Sequence, residues 1–418
     1  MKKTITIMLA FLFAISFAFG QKVEKTGKTD KEEKKFGVEI HGFVRYEAFF
    51  DTRKVLESRD GDIRFWPLQP VYDAKGKDIY DRTYLNMLGI QTRLNAKITG
   101  PDALGAKTSA FIEGDFIGRS QSDISQLRLR HAFIKLNWEK FELLLGETWH
   151  PMFVPECFPG VLAMGAGTPF HALNRSAQIR GTVKLGRSVK VIGALLGHRD
   201  FASVGPAGEN VLRNSGLPDA QLQVKIGCPK SLFLGATVGY KTITPRLITD
   251  KGFKTEKSIS SFNASAFLRI TTKPVSFKLE AITGQNLTHL KMLGGYAKRA
   301  YAFDIDDYEY TNLNATSIWA DIHTNNPKFE IGVFGGYTYM NGADDEVDNS
   351  VVYARGGNID NLLRIAPRIV LKSGKLHVGV EASFDEAAYA TKFDAERTPK
   401  ASKSYDSQRY LLSVKYAF

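Results

Sequence analysis

From residue 38 to the C-terminus, apolar and polar residues alternate along the chain. The last stretch shows the pattern clearly, because Tyr410, Leu412, Val414, Tyr416 and Phe418 share one face of an extended chain. A period of two residues is that of a β-strand with one apolar face. The pattern predicts sixteen strands, at residues 38–50, 86–98, 106–117, 126–138, 141–149, 175–185, 188–198, 218–227, 231–241, 258–271, 274–285, 314–324, 328–340, 361–372, 374–385 and 405–418.

The connections between these predicted strands are alternately long and short. Turns such as 139–140, 186–187 and 272–273 are brief, whereas connections such as 150–174 and 286–313 are long. A strict alternation places all the long connections at one end of the molecule. Barrels of the outer membrane have this layout, with short periplasmic turns, long extracellular loops and an even number of strands. We therefore predict an all-β fold, a transmembrane antiparallel β-barrel of about sixteen strands.

The C-terminal strand carries information about closure and assembly. In lipid every backbone amide needs a partner within the protein, so a sheet must close and the last strand should pair with the first. Tyr416 and the terminal Phe418 match the signal that the barrel assembly machinery recognises. The alternative is an amphipathic edge strand of a soluble protein. Such an edge would be unprotected and would invite aggregation.

The N-terminus predicts the compartment. Lys2 and Lys3 precede a short apolar run, which is the pattern of a secretory signal peptide. A membrane anchor is the weaker alternative, because the run is short. We predict a signal peptide at 1–20, a charged tail at 21–37 and a barrel at 38–418, in the outer membrane of a Gram-negative bacterium.

Composition and charge exclude several classes of protein. With 43% hydrophobic and 11% aromatic residues, the chain is too apolar to be disordered. Two cysteines cannot form a disulfide scaffold. Beyond the signal no run of about 18 apolar residues occurs, so a helical membrane protein is excluded. Removing two lysines with the signal lowers the formal charge from +12 to +10, and we expect this surplus to face small anions rather than nucleic acid.

The polar face of each predicted strand should point into the barrel, which sixteen strands leave as an aqueous channel. Basic residues outnumber acidic ones there, and rings of Arg and Lys favour anions. The predicted pore-lining and substrate-guiding residues are Arg45, Arg93, Lys97, Arg128, Arg130, Arg180, Lys184, Arg269, Arg364, Arg368 and Arg409. Alternatively, each arginine pairs with a neighbouring acid and the lining is neutral. Acidic residues on the same faces include Glu47, Glu113, Asp115, Asp321, Glu330 and Glu381.

The connection 150–174 differs from the others because it is rich in Pro, Gly and apolar residues. A solvated loop should be polar, so we expect this one to be buried within the barrel and to narrow it. A lid or a subunit contact is the alternative. The residues predicted to form the constriction are Pro155, Glu156, Phe158, Phe170 and His171.

Other chemistry-bearing patterns are weak. No catalytic motif, cofactor site or metal-ligand spacing is recognisable, so we predict no enzyme activity, no cofactor and no metal. Two acidic runs could hold calcium, but solvated charge is the favoured interpretation; they are Asp304, Asp306, Asp307 with Glu309, and Asp344, Asp345, Glu346 with Asp348. Cys157 and Cys228 should lie at opposite ends of the barrel, beyond disulfide reach, as two free thiols.

Four segments resemble the DcaP-like outer-membrane porins. They are 41–53 (HGFVRYEAFFDTR), 98–118 (ITGPDALGAKTSAFIEGDFIG), 127–138 (LRLRHAFIKLNW) and 143–153 (LLLGETWHPMF). The resemblance implies a homotrimer, passive diffusion and a preference for small anions such as dicarboxylates. The matched basic positions are Arg45, Arg128 and Arg130. In one respect the chain departs from the family pattern, because its N-terminal tail is too short for the longer coiled segment that relatives often carry.

The sequence thus leads us to expect an outer-membrane porin that lets small hydrophilic solutes diffuse. Its expected partners are small anionic solutes, outer-membrane lipid and lipopolysaccharide, the assembly machinery and two further copies of the chain. A non-conducting barrel with an adhesive or structural role and an outer-membrane barrel enzyme remain the alternatives.

Overall fold

The computed structural model describes residues 36–301 and 306–418, and this part of the chain is dominated by antiparallel strands. The predicted signal peptide and nearly all of the predicted tail lie outside the described residues. The strands are β1 (Gly37–Asp51), β2 (Val55–Ser58), β3 (Ile63–Pro67), β4 (Tyr84–Leu88), β5 (Arg93–Thr99), β6 (Lys107–Asp115), β7 (Arg128–Asn137), β8 (Phe141–Trp149), β9 (Arg175–Leu185), β10 (Val189–Gly197), β11 (Asp219–Gly227), β12 (Leu232–Ile243), β13 (Ile259–Thr271), β14 (Val275–Gln285), β15 (Gly294–Arg299), β16 (Tyr310–Thr324), β17 (Phe329–Ala343), β18 (Val347–Arg355), β19 (Ile359–Ser373), β20 (Leu376–Phe393) and β21 (Pro399–Ala417). Helical turns are short, at Gln121–Asp123, Gly208–Asn210, Val211–Ser215 and Leu287–Leu290.

The sheet closes into a barrel. β1 pairs with β21 over nine residue pairs, from Phe43 opposite Ala417 to Asp51 opposite Arg409. On its other side β1 pairs with both β4 and β5, which together make one barrel strand interrupted at 89–92. Because β2, β3, β15 and β18 lie in connections, the described strands form a barrel of sixteen, as predicted.

Each of the sixteen predicted strands overlaps an observed one, but the last hairpin is longer than expected. β20 runs to Phe393 and β21 begins at Pro399, whereas the predicted strands end near residue 385 and resume at 405. In this outer part the β21 residues from Lys400 to Ser404 are all polar or small and exposed. Such residues give no alternation, although the two backbones stay paired.

The alternation of the predicted strand 126–138 changes phase near His131, which a β-bulge would explain, and an irregularity in β7 confirms this bulge. Glu113 of β6 lies opposite His131, whereas the next residue, Gly114, lies opposite Leu129, so Arg130 is the extra residue. A bulge changes the phase of the side chains along a strand. Arg128, Arg130 and His131 are therefore all buried, which a regular strand would not allow for neighbouring residues.

The outer face of the barrel is apolar. Val44 and Tyr46 of β1 are 55% and 41% exposed, whereas Glu47, the next residue, faces the interior and is buried. A continuous exposed apolar belt on a sheet without free edges suits lipid and not water. Within the described ranges, no helix is long and apolar enough to cross a membrane. The closed barrel and its apolar belt together indicate the outer membrane of a Gram-negative bacterium.

The main hydrophobic core lies inside the barrel. It combines inward-facing side chains such as Trp319 and Phe334 with residues of three connections, among them Trp66, Phe170 and Leu290. All five are less than a tenth exposed. The interior is therefore packed by chain that enters from the connections, as well as by strand side chains.

Candidate functional site

Loop 150–174 extends across the interior of the barrel. The amide N–H of Leu162 donates to Oε2 of Glu381 at 2.6 Å, and the amide N–H of Gly160 donates to Oδ2 of Asp321 at 3.1 Å. These carboxylates belong to β20 and β16, far round the barrel from β8 and β9, which flank the loop. The loop therefore contacts the opposite wall.

The near part of the loop is held by cations. Lys225 of β11 pairs with the Glu156 carboxylate at 2.8 Å, and Arg269 of β13 donates to the Glu156 carbonyl oxygen at 3.0 Å. Lys278 of β14 donates to the carbonyl oxygen of Phe158 at 2.9 Å. Neighbouring Pro155 is exposed. Three of the basic residues that face the interior thus bind this loop.

The end of the loop is fixed by two of the predicted constriction residues. His171 Nδ1 lies 2.7 Å from Oε2 of Glu280, and both side chains are fully buried. Phe170 packs so tightly against Gly336 that a Cβ there would lie 2.6 Å from its ring. A glycine is required at this point of β17 because the Phe170 ring occupies the space of a side chain.

Two further connections enter the barrel and were not predicted. In the β2–β3 hairpin, Arg64 pairs with Asp385 at 2.6 Å, and Arg364 donates to the carbonyl oxygen of Phe65 at 2.9 Å. The second is segment 286–293, whose Leu287 and Leu290 are fully buried. Clusters of apolar residues in otherwise polar connections, IRFWP and LTHLKML, were the available sequence signal.

Several predicted guiding residues are fully neutralised by carboxylates. Arg368 pairs with Asp321 at 2.7 Å and with Glu330 at 3.1 Å. Arg409 pairs with Asp51 at 2.6 Å. Similar pairs join Arg364 to Asp385 and Arg45 to Glu47. At these positions the structure shows the neutral arrangement that was the alternative in the sequence analysis.

Arg128 and Arg130 share their acidic partners. Both Nε and Nη2 of Arg128 donate to Asp115, at 3.0 and 2.9 Å. Arg130 donates to the same carboxylate at 2.9 Å and to Glu113 at 2.7 Å. Two cations therefore face two anions at the bulge of β7. This cluster is compact and locally neutral.

The remaining predicted cations differ in their surroundings. Arg180 and Lys184 donate to backbone carbonyl oxygens, those of Trp149 and Trp138. Lys97 is exposed and lies 3.4 Å from Glu39. Arg93 has no carboxylate within ion-pairing distance among the described residues, and its guanidinium lies 5.3 Å from the ring centre of Phe43.

Arg93 belongs to a series of cations that alternate with aromatic rings, which we call the cation–aromatic ladder. Lys291 and Arg175 lie 5.1 and 5.2 Å from the ring centre of Phe201. Arg175 and Arg130 lie 5.1 and 5.7 Å from the ring centre of Trp149. Each ring is thus shared by two successive cations.

The ladder continues past a cavity of about 320 Å³ that both Arg130 and Arg93 line. Beyond it, Arg93 and Lys415 share the ring of Phe43, at 5.3 and 5.5 Å from its centre. In order, the ladder is Lys291, Phe201, Arg175, Trp149, Arg130, Arg93, Phe43 and Lys415.

A second cavity of about 300 Å³ lies at the other end of the ladder, near the long connections. Lys291, Arg355, Arg59 and Arg128 line it, together with acids that include Asp200. Burial, reinforced by Arg355 and Arg59, lowers the pKa of the Lys291 ammonium to about 7. An excess of positive charge therefore surrounds this cavity, and an anion there would favour the charged form of Lys291.

Four members of the ladder carry no carboxylate partner in the described residues, namely Lys291, Arg175, Arg93 and Lys415. Sequence reasoning found only Arg93 and Arg130 of the ladder's cations. Arg175 was missed because it has the parity of the outward-facing Ala177 and Ile179 in the predicted strand 175–185, although the structure buries it where β9 begins. Lys291 was missed because it lies in a connection that was expected to be solvated.

Two residues of the second acidic run form ion pairs with basic side chains, and the cysteines are not bonded to each other. Asp345 lies 2.6 Å from Arg299, and Asp348 lies 2.9 Å from Lys298. Asp304, in the other run, lies outside the described residues. Both cysteines are free thiols, as predicted, with Cys157 buried and Cys228 exposed.

Comparisons with known proteins give a fold but no sequence family. The sequence matches no protein-family profile and no curated protein sequence. The outer membrane channel DcaP of Acinetobacter baumannii is similar in structure, with a TM-score of 0.68, 15% identity, and coverage of 94% of this chain and 100% of that chain.

Two other porin-like structures are similar over most of the chain. The trimer form of OmpT from Vibrio cholerae has a TM-score of 0.56 and 10% identity, covering 92% of this chain and 100% of its own. An anion-selective porin from Comamonas acidovorans has a TM-score of 0.54 and 10% identity, with the same coverage. The chain therefore has the porin fold, and among these structures it is most similar to DcaP, as the resemblance of its sequence implied.

Proposed function

We propose that this protein is a porin through which small anions diffuse along the cation–aromatic ladder. The observation that carries the proposal is a set of four buried or half-buried cations that have no carboxylate partner among the described residues and belong to a ladder between two cavities. A cation that is desolvated and unpaired attracts an anion more strongly than one in an ion pair. A ladder spreads this attraction over several weak sites, so that a solute can leave as well as enter.

On this proposal, the residues that the sequence predicted have different roles. Arg93, Arg128 and Arg130 would guide solutes, since they line the two cavities. Arg45, Arg364, Arg368 and Arg409 would stabilise the wall and loop 150–174 through their ion pairs. The same loop would narrow the barrel, with Glu156, Phe158, Phe170 and His171 anchoring it and Pro155 exposed at its surface. Of the remaining predicted lining residues, Arg269 would anchor the loop. Lys97, Arg180 and Lys184 line neither of the two cavities.

Dicarboxylates are the solutes that we expect to be preferred. Two carboxylates can contact two neighbouring cations of the ladder at once, and an arginine fork can bind a carboxylate through two hydrogen bonds. The rings of Trp149 and Phe201 would contact the apolar part of such a solute. On this proposal the chain has no catalytic role and needs no cofactor or metal.

A homotrimer in the outer membrane is the proposed assembly. The trimer form of the similarly folded OmpT supports it. The apolar outer belt would contact lipid, lipopolysaccharide and the neighbouring copies, and Tyr416 and Phe418 would be read by the barrel assembly machinery.

Planar-bilayer recording of the purified protein tests the proposal. Under a gradient of KCl we expect discrete channels whose reversal potential shows a preference for chloride. A preference for potassium would contradict anion guidance. The packed interior of the barrel favours a second candidate, a non-conducting barrel with a structural or adhesive role, and the absence of any current would support it.

A further inference from the structure

Three histidines surround one carboxylate inside the barrel. The Nε2 atoms of His150, His198 and His289 lie 3.3, 3.0 and 3.6 Å from Oδ2 of Asp219. All four side chains have no exposed surface. These residues, which we call the histidine cluster, belong to neither the ladder nor the paired arginines.

The histidine cluster joins four separate parts of the chain. His150 follows β8 and begins loop 150–174, His198 follows β10, and Asp219 begins β11. His289 belongs to segment 286–293, and its carbonyl oxygen also accepts from Asn174 at 3.0 Å, at the end of the loop. The cluster therefore fastens segment 286–293 to both ends of loop 150–174.

The contacts of the Nδ1 atoms show which ring nitrogen carries the hydrogen in the neutral forms of His150 and His289. The amide N–H of Met152 donates to Nδ1 of His150 at 3.1 Å. Nζ of Lys241 lies 2.6 Å from Nδ1 of His289. An amide N–H and an ammonium can only donate, so in both rings Nδ1 accepts and Nε2 carries the hydrogen. The His150 Nε2–H donates to Asp219, whereas the His289 Nε2–H lies beside the same carboxylate without a hydrogen bond to it.

This arrangement does not suit a metal ion, although the spacing of His150, Asp219 and His289 alone would allow one. A metal would need the lone pairs of the two Nε2 atoms, which the Nδ1 contacts make hydrogen donors. The ammonium of Lys241, fully buried beside His289, would also repel a cation. Hydrogen bonds of His150 and His198 to Asp219, with the His289 ring beside the same carboxylate, account for the geometry.

The charges that face the cluster are already balanced. Asp219 supplies one negative charge, and Lys241 of β12 supplies one positive charge while donating to the carbonyl oxygen of Asn286 at 2.6 Å. Oδ1 of Asp219 accepts from neutral Gln221 at 2.7 Å. Arg180 of β9 adds further positive potential near His150.

Protonation of either histidine must therefore break a contact. A proton on Nδ1 of His150 would face the amide N–H of Met152, and one on Nδ1 of His289 would face the Lys241 ammonium. Burial lowers the pKa of His150, and burial together with Lys241 lowers that of His289. The closed form is therefore favoured above the ordinary histidine pKa of about 6.5 and loses stability as the pH falls below it.

We propose that the histidine cluster is a pH-sensitive clasp, which holds segment 286–293 inside the barrel near neutral pH and releases it in acid. Lys291 lies two residues from His289, so release also displaces the outermost cation of the ladder. That last consequence rests on the proposed function, whereas the clasp itself does not.

Hydrogen–deuterium exchange of the full-length protein in detergent micelles, between pH 7.5 and 5, tests the clasp. After correction for the chemical exchange rate, each proton taken up on release lowers protection of residues 286–293 by up to about tenfold per pH unit below 6.5. The strands β13 and β14, which pair directly with each other, should keep their protection. Protection of 286–293 that does not change with pH would overturn the proposal.

A variant and a matched control separate the cluster from the other histidines. His289→Gln keeps a hydrogen-bonding group but cannot take up the proton, so exchange of 286–293 should lose most of its pH dependence. His41→Gln changes an exposed histidine of β1 and should behave like the original chain. If His41→Gln abolished the effect or His289→Gln left it intact, the cluster would not be the switch.

His150→Gln is a second substitution beside the same carboxylate, and it tests the proposal independently if His289→Gln weakens the barrel. It should reduce the pH response by removing the other constrained Nδ1. Exchange does not depend on conduction, so a silent channel with a working clasp would contradict only the proposed function. A conducting channel with pH-independent exchange would contradict only the clasp.

Discussion

Two regions of the barrel interior use arginine in opposite ways. In the wall formed by β16, β17, β19, β20 and β21, Arg364, Arg368 and Arg409 are each paired with carboxylates and almost fully buried. Along the cation–aromatic ladder, Arg93 and Arg175 contact aromatic rings and have no carboxylate partner in the described residues. We call the first region the paired wall.

The comparison of the two regions shows that the number of basic residues alone does not make a surface selective for anions. A buried ion pair is electrically compact, and removing one partner leaves an uncompensated charge. An unpaired cation beside a ring keeps its field available to a solute, because a ring supplies only a weak quadrupole. Substitutions in the paired wall should therefore change stability, and substitutions in the ladder should change selectivity.

The largest effect is expected for Arg368→Met in the paired wall. Asp321, which is fully buried, and Glu330 would both lose their guanidinium partner. Loss of one member of such a buried pair costs about 3–5 kcal/mol of unfolding free energy. Equilibrium unfolding in detergent measures this loss. Arg93→Met is the matched control and should cost less than about 1 kcal/mol; equal losses would erase the distinction between the two regions.

Removal of residues 155–168 should raise the single-channel conductance. This part of loop 150–174 receives contacts from Glu381 and Asp321 of the paired wall. Its deletion widens the interior that it now crosses. The barrel should remain folded, as the mobility of unheated samples in gels would show. Unchanged conductance in such a folded variant would mean that the loop is not the constriction.

The double substitution Arg93→Gln with Arg175→Gln should reduce the preference for anions without loss of stability. Arg128→Ala with Arg130→Ala removes the same charge but leaves Asp115 without both of its partners. We therefore expect a similar fall in selectivity accompanied by a fall in stability. Reversal potentials and unfolding midpoints of the two variants provide the comparison. Unchanged reversal potentials in both would place selectivity elsewhere.

A smaller effect is expected for Trp149→Leu. Its ring lies between Arg175 and Arg130, and stacks on Phe153 with centroids 3.7 Å apart. Cation–ring contacts contribute about 0.5–2 kcal/mol, so both cations should become less well positioned. The preference for chloride over potassium should fall only slightly. The permeability of aromatic anions should fall more than that of aliphatic anions, because the Trp149 ring would no longer contact the solute. Phe262→Leu, which changes an exposed ring of β13 outside the ladder and its two cavities, serves as the control.

The strands and the bulge of β7 could be predicted because their signal is periodic and local. Alternation identified all sixteen barrel strands, and its change of phase near His131 marked the bulge. The outer parts of β20 and β21 carry no alternation and were missed. The inward course of loop 150–174 was expected from its apolar composition. The apolar clusters IRFWP and LTHLKML are much shorter, and they were not recognised as the signal of two other inward segments.

The candidate site was less predictable, because it depends on distances across the barrel. Parity along a strand places Arg368 and Arg93 on the same kind of face. Parity does not show that two carboxylates lie beside Arg368, whereas a phenylalanine ring lies beside Arg93. Arg175 has the parity of the outer face of its strand and Lys291 lies in a connection, so their place in the ladder follows only from the folded chain.

The central claim is that anions occupy the ladder and avoid the paired wall, and bromide bound in crystals tests it directly. Anomalous scattering locates bromide without assumptions about conduction. We predict peaks beside Arg93, Arg175 and Lys291, and none beside Arg368 or Arg409. Peaks confined to the paired wall, or a ladder empty at high bromide concentration, would contradict the account.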